Sequence, residues 1–459
     1  MSGGTFDKAT AAPSAATDIG QILDDGPWTP MQIIVVAMAA CSIIMDGFDG
    51  QLIGFAVPVL IKEWGVTRGD FAPALAAGLV GMGIGSAVAG LIADRLGRRL
   101  GVIASVFIFG LATGCIGFSQ NLFSIGALRF VAGLGIGGAL PTSTTMAAEY
   151  TPARRRTVAV TATIVCVPVG GMIAGLFAGF VLPHYGWRAL FFLGGLLAVG
   201  LGIALVLALP ESPRFLARRP SRWAELASLL GRIGRPISGD ARFTDLKEQR
   251  AEKHAGFPAL FRDGRARDTL ALWCAFFLNL FAVYTAFSWL PTMLVSEGLS
   301  VGIAGSGLTA YNLGGVFGAL LCAWAIARFG SRWPMAFCAL GGAASAFSLE
   351  TVKVAQDPNL LISGLGVHGL FVNATQSTLF AVSAHAYPTA VRATGTASAL
   401  AFGRLGAILS AFAGAAAIAA GGASAYLTLL GAAMTGVLTA LLVLQRHIPP
   451  VGQDEGVIE

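Results

Sequence analysis

The sequence predicts an all-α membrane protein of twelve transmembrane helices in two six-helix halves, on three observations. Hydrophobic residues make up 55% of the 459 and charged residues only 12%, with a mean hydropathy of +0.73. A soluble domain carries about 25% charged residues, so this chain lacks the polar groups to cover itself in water. Apolar runs long enough to cross about 30 Å of hydrocarbon recur from Met31 to Leu444. One long polar stretch divides them six and six.

Residues 1–30 are rich in small and polar side chains and lack the basic start and short apolar core of a secretory signal, so a mobile cytoplasmic tail is expected there. The first half, 31–208, breaks into spans near 31–58, 71–92, 101–118, 122–146, 157–182 and 187–208. A central loop, 209–268, follows, in which Trp223, Leu226 and Leu230 have the spacing of a short amphipathic helix. The second half, 269–444, has spans near 269–294, 302–327, 334–351, 359–383, 394–420 and 424–444. A second tail, 445–459, ends the chain.

With both termini inside, the inner segments hold 24 of the 30 Lys and Arg residues. The outer side keeps only Lys62, Arg68, Arg188 and Lys353, which is the bias expected of a protein inserted with its positive loops inside. The pI near 9.2 therefore follows from topology and gives no reason to expect nucleic-acid binding. Cys41, Cys115, Cys166, Cys274, Cys322 and Cys338 lie singly in apolar segments without paired spacing. They read as packing residues. No disulfide framework, metal site or cofactor is expected.

GLIADRLGRR, Gly90 to Arg99, recurs in weaker form as AWAIARFGSR, Ala323 to Arg332, at an offset of 233. In the first copy Asp94 sits at an inner helix end, where it can pair with Arg95, Arg98 and Arg99 or with neighbouring helices and so latch an inner gate, to which Arg392 of the loop after span ten is also assigned. Gly97 permits the tight turn.

Five spans carry polar groups at depth. Asp46 and Asp49 of span one are three residues apart and roughly 20 Å from the inner end, and Phe48 between them is assigned to substrate binding. Ionisable groups in the bilayer usually face a cavity and mark an ion or substrate path, so the two aspartates are the expected proton-coupling element, unless they cap a helix break at Gly47 or Gly50. Arg129 of span four, followed by Gly133, Gly135, Gly137 and Gly138 and ending near Glu149, is assigned with Glu149 to the same coupling. The glycines read as close helix contacts.

Arg404 of span eleven lies about twelve residues beyond Arg392, roughly 18 Å along a helix, too deep to reach the interface easily. Its guanidinium suits a substrate carboxylate, bound through two parallel hydrogen bonds. Span seven offers Tyr284 and Trp289 to a ring, with Pro291 ending its regular helix. Span ten offers Asn373 and Gln376. His368 lies one to two turns before them, at a position equally suited to tying helices together.

These residues resemble the aromatic acid:proton symporter family of the major facilitator superfamily. The likeness rests on DGFD with IGFAVPVL in span one, the complete G-x-x-x-D-R-x-G-R-R loop motif, SWLP in span seven, YNLGGVFGALL in span eight, and YPTAVRATG with GRLGAIL at spans ten and eleven. The resemblance implies the major facilitator fold, with a substrate site between the halves. It also implies roles in transport for Asp46, Asp49, Asp94, Arg129, Glu149, Arg392 and Arg404. Two positions depart from the family pattern: Ala327 where an aspartate is frequent, and Asn279 at a usually apolar place.

The expected function is uptake of a small aromatic carboxylate with protons across a bacterial inner membrane by a monomer. The alternatives are transport of another organic acid and drug/proton antiport. An anion-binding arginine suits acids better than cationic drugs. No nucleophile, metal cluster or nucleotide loop points to an enzyme.

Overall fold

The computed structural model describes residues 17–237, 242–244, 257–262, 264–352, 357–388 and 391–450. Lys8, Lys353, the LKEQRAEK stretch of the central loop and the end of the C-terminal tail lie outside them.

Span one is a single helix, Pro30–Trp64, stopped by Gly65 at φ 63°. Span two, Arg68–Leu96, starts on a capping box between Thr67 and Asp70. Span three is Arg98–Ile116, and span four, Leu122–Tyr150, is capped by Asn121. Spans five and six form Ala153–Ala208, broken at Gly186 with φ 75°. In the second half, span seven is Ala266–Ser296, span eight Val301–Phe329, span nine Arg332–Glu350 and span ten Pro358–Ala386. Spans eleven and twelve share Arg392–Val443, broken at Gly421 and Gly422. Among the described residues, eight helices are long and apolar enough to cross a membrane. Two of these hold two spans each, and spans nine and ten complete the twelve.

The internal repeat is visible in the helix ends. Arg68 and Leu96 stand 233 positions before Val301 and Phe329, so spans two and eight match at both termini. Spans four and ten match in the same way at an offset of 236.

Two expectations change. Pro291 does not end span seven, because the helix continues to Ser296; in a bilayer, neighbouring helices satisfy the carbonyl a proline leaves unpaired. Nor does the helix of span one break at Gly47 or Gly50. Gly47 instead marks a close helix approach, since a Cβ there would meet the Val167 carbonyl of span five at 2.1 Å. The span-four glycines do serve as close contacts: Cβ atoms at Gly133 and Gly137 would lie 2.1 Å from span-two carbonyls, and those at Gly135 and Gly138 2.6 Å from oxygens of Ser105 in span three.

Part of the expected mobile tail is folded. Thr17–Asp18 pairs with Phe243–Thr244, and the helix Ile19–Asp25 buries Ile19 and Leu23. Asp24 fixes it by pairing with Arg156 and with Arg214, the latter at 3.1 Å. The central loop holds the expected amphipathic helix at Trp223–Arg232, with Leu226, Leu229 and Leu230 buried.

Candidate functional site

Two cavities meet at Arg404. A larger one of about 660 Å³ lies between the halves, lined by Ser86 of span two, Pro141 and Thr144 of span four, Ile164 of span five, Phe380 of span ten, and Thr396 to Ile408 of span eleven. Most of these residues lie in the halves of their spans nearest the Asp94 loop, with Arg404 to Ile408 at the middle of span eleven. A smaller one of about 70 Å³ lies deeper, lined by Asp46, Gly50, Gln51, Met82, Tyr284 and Arg404 among others. Beyond it the halves close on each other. Gln51 and Asn312 exchange amide hydrogen bonds of 3.2 and 2.7 Å, and a Cβ at Gly54 would meet the Phe287 carbonyl at 2.1 Å.

Arg404 reaches this junction from mid-span. Its Nη1 donates to the Tyr284 hydroxyl at 2.8 Å and to the Met82 sulfur at 2.6 Å, while its buried Nε has no partner. A thioether is a weak acceptor. No carboxylate lies within ion-pair distance of this guanidinium among the described residues, although Asp46 lines the same small cavity and is within its electrostatic reach.

Asp46 and Asp49 are 7% and 1% exposed, and three of their four carboxylate oxygens are buried without a hydrogen-bond donor. The two point to different places. Three residues along a helix turn the side chain by about 60° from vertical alignment, enough to leave Asp46 on the cavity beside Arg404 while Asp49 enters the first half beside Thr113 and Arg129. Arg129 is buried, with Nε and Nη1 unpartnered, and a Cβ at Gly78 would lie 3.3 Å from its Nε. That glycine leaves room for the guanidinium.

The Asp94 loop forms its latch within the first half. Arg98 pairs with Asp94 at 2.5 Å and with Glu149 at 3.4 Å, and Glu149 also accepts from the Ser212 hydroxyl. Glu211 accepts from the Arg99 amide at 3.0 Å, and its carboxylate fills the space beside Gly97. Arg95 points to solvent, with its carbonyl accepting from Arg219 at 2.7 Å. In the second half the equivalent turn carries no carboxylate: the Ser331 amide donates to the Ile448 carbonyl at 2.8 Å.

A model of the Major Facilitator Superfamily matches residues 39–308 and 272–458. This chain belongs to the major facilitator superfamily. Within the superfamily its kinship is with the aromatic acid:proton symporters. It is 33% identical to a gallate transporter of Pseudomonas putida, over 93% of this chain and 95% of that protein. It is 34% identical to the 4-hydroxybenzoate transporter PcaK of Acinetobacter baylyi, over 88% and 89%. Among solved structures it superposes on the inward-open xylose transporter XylE of E. coli with a TM-score of 0.71, covering 92% of this chain and 98% of that one at 19% identity, a likeness of fold. The chain is a multi-pass membrane transporter and not an enzyme.

Several residues assigned from sequence sit elsewhere in this superfamily frame. Glu149 lies twenty residues beyond Arg129, roughly 30 Å along span four, and joins the Arg98 latch instead of the Arg129 site. Trp289 is fully buried, donating to the Ala411 carbonyl at 3.0 Å, and packs span seven on span eleven away from both cavities. Phe48 is buried against Phe177, with ring centroids 5.3 Å apart. Gln376 accepts from Asn279 at 2.6 Å, Asn373 donates to the Gly369 carbonyl, and His368 contacts Ser345 and the Gly342 carbonyl. Gln376 and His368 tie helices of the second half together, while Asn373 bonds within span ten and packs against Gly315 of span eight. Arg392 donates to Tyr387 at 3.4 Å and does not join the latch. Gln51, Asn312, Met82 and Glu211 were not singled out from sequence; the amides' depth in spans one and eight was the available signal.

Proposed function

We propose that this transporter takes up a small aromatic carboxylate together with protons across a bacterial inner membrane. The observation that carries this reading is Arg404, a mid-membrane guanidinium on a cavity between the halves with no carboxylate paired to it among the described residues. An anionic group can satisfy the fork through two parallel hydrogen bonds. The larger cavity is within the roughly 300–1,000 Å³ of small-molecule sites. Its Phe380, Ile164, Leu400 and Ile408 suit a ring, and Ser86, Thr144 and Thr396 suit ring hydroxyls. The relatives named for gallate and 4-hydroxybenzoate support the same substrate class.

Asp46 supplies the coupling. A buried carboxylate without donors is costly as an anion. When Asp46 is charged it attracts Arg404 and competes with substrate; when it is protonated, Arg404 is free to hold the substrate carboxylate. Asp49 stands within electrostatic reach of Arg129 in the first half, a second pair of opposite charges available to pass the proton on or to hold the bundle in one state.

Uptake of labelled benzoate, hydroxybenzoates and methoxybenzoates into proteoliposomes tests the substrate class. Saturable uptake of at least one, competed by the others and not by uncharged aromatic amides, is expected. Uptake of cationic drugs in place of acids would overturn the reading.

The inside-positive bias supports a cytoplasmic position for both termini and the Asp94 end. A thiol introduced at the exposed Ala224 in the central loop should then stay unlabelled by an impermeant maleimide in intact cells and react after permeabilisation. Labelling from outside would reverse the topology.

A further inference from the structure

We propose that Cys322 and Cys338 form a dithiol site, open to the bilayer, for a soft thiophilic centre such as a trivalent arylarsenical. The sequence reading took every cysteine as isolated packing, and a separation of sixteen positions between two thiols is no recognised spacing. The fold brings them together. Cys322 in span eight and Cys338 in span nine stand eight residues either side of Gly330, where the chain turns at φ 75°, so the antiparallel pair places the sulfurs 3.7 Å apart. Both thiols are buried, with the Thr378 hydroxyl 4.0 Å from Cys322.

The separation is far beyond a disulfide bond of about 2.05 Å, and closing one needs an oxidant. It is instead close to that of two sulfurs sharing one soft atom, which stand about 3.4 to 3.8 Å apart when each bond is about 2.3 Å. A soft centre prefers thiolate ligands. Both cysteines also line an apolar groove of about 420 Å³ with Trp324, Phe329, Trp333 and Phe337, whose side chains are exposed on the outer face of the helix pair. Among the described residues no cluster of three or more His, Cys, Asp or Glu completes a metal cage. A trivalent arsenical needs only two thiols, and its aryl group is the third substituent, here seated among the rings.

The reaction is a condensation without redox change. Arylarsine oxide, R–As=O, meets two thiols; two As–S bonds form, the As=O bond and two S–H bonds break, and the oxygen leaves as water with both protons.

The test is the full chain, purified in detergent, treated with phenylarsine oxide, washed with excess glutathione and weighed by intact mass spectrometry. In a variant with Cys41, Cys115, Cys166 and Cys274 changed to Ser, one arsenical per chain should survive glutathione and leave with 2,3-dimercaptopropanol. Adding Cys322→Ser or Cys338→Ser should remove it, because a single thiol exchanges with glutathione. On the wild-type background, Cys338→Ser should likewise lose one resistant arsenical, which reads the site even if the fourfold variant folds poorly. No resistant adduct in wild-type protein, or its persistence after either substitution of the pair, overturns the proposal.

Discussion

Arg404→Lys is expected to weaken binding of an aromatic carboxylate by about 1.5–3 kcal/mol, the worth of a charged hydrogen bond, or roughly ten- to over a hundredfold in Kd. The lysine keeps the charge but loses the planar fork and the geometry set by the Tyr284 hydroxyl. Arg404→Ala should lose more. Tyr284→Phe removes only the neutral partner that orients the guanidinium, so about 1 kcal/mol is expected. Trp289→Phe is the control: its indole bonds to Ala411 outside both cavities, and affinity should stay unchanged. Isothermal calorimetry on the purified protein reads all four. Equal affinity in wild type, Arg404→Lys and Arg404→Ala takes Arg404 out of the site, and a large loss in Trp289→Phe puts the ring there after all.

Asp46→Asn is expected to abolish accumulation driven by a pH gradient while sparing binding, because an amide keeps the size of the carboxyl but carries no exchangeable charge. In such a variant Arg404 has no competing anion, so substrate affinity should hold or rise as coupling is lost. Asp49→Asn should also lose accumulation, but by a different route: it leaves Arg129 buried without its anionic neighbour. Uncompensated buried charge is destabilising by about 3–5 kcal/mol, so lowered thermal stability should accompany that variant and not Asp46→Asn. Double replacement of Asp49 and Arg129 by neutral residues should recover stability without recovering coupling. If both single variants still concentrate substrate in response to a pH gradient, the proton travels elsewhere.

The fold was legible because hydropathy reports membrane spans directly, and the Asp94 motif with its weaker copy reports the repeat. The depth of Arg404, Arg129, Asp46 and Asp49 was legible for the same reason: a charge inside an apolar run is conspicuous. What a linear reading lacks is the direction each side chain faces. Asp46 and Asp49 share a helix face in a count of residues, yet a rotation of about 60° sends one to the cavity and the other to Arg129. Trp289 reads as a ligand because its aromatic face suits a ring, but it looks out from a different side of span seven than Tyr284. Glu149 was joined to Arg129 by membership of one helix, although the length of span four separates them. The pairing of Gln51 with Asn312 across 261 residues needs tertiary structure to be seen. So does the meeting of Cys322 with Cys338, which depends on where the turn at Gly330 falls.

Proton coupling itself is read most plainly by substrate accumulation in proteoliposomes with an imposed pH gradient, acidic outside, at zero membrane potential. One proton moved with one monoanion is electrically silent, and one pH unit is worth about 1.36 kcal/mol, so wild-type protein should concentrate the aromatic acid about tenfold, after correction for the permeant neutral acid in protein-free vesicles. A protonophore should collapse it. An inside-negative potential of 100 mV should leave this ratio unchanged for one proton and raise it if two move, since the extra charge is worth about 2.3 kcal/mol. Equilibration to a ratio of one under the pH gradient, or expulsion of substrate from the vesicles, would contradict symport.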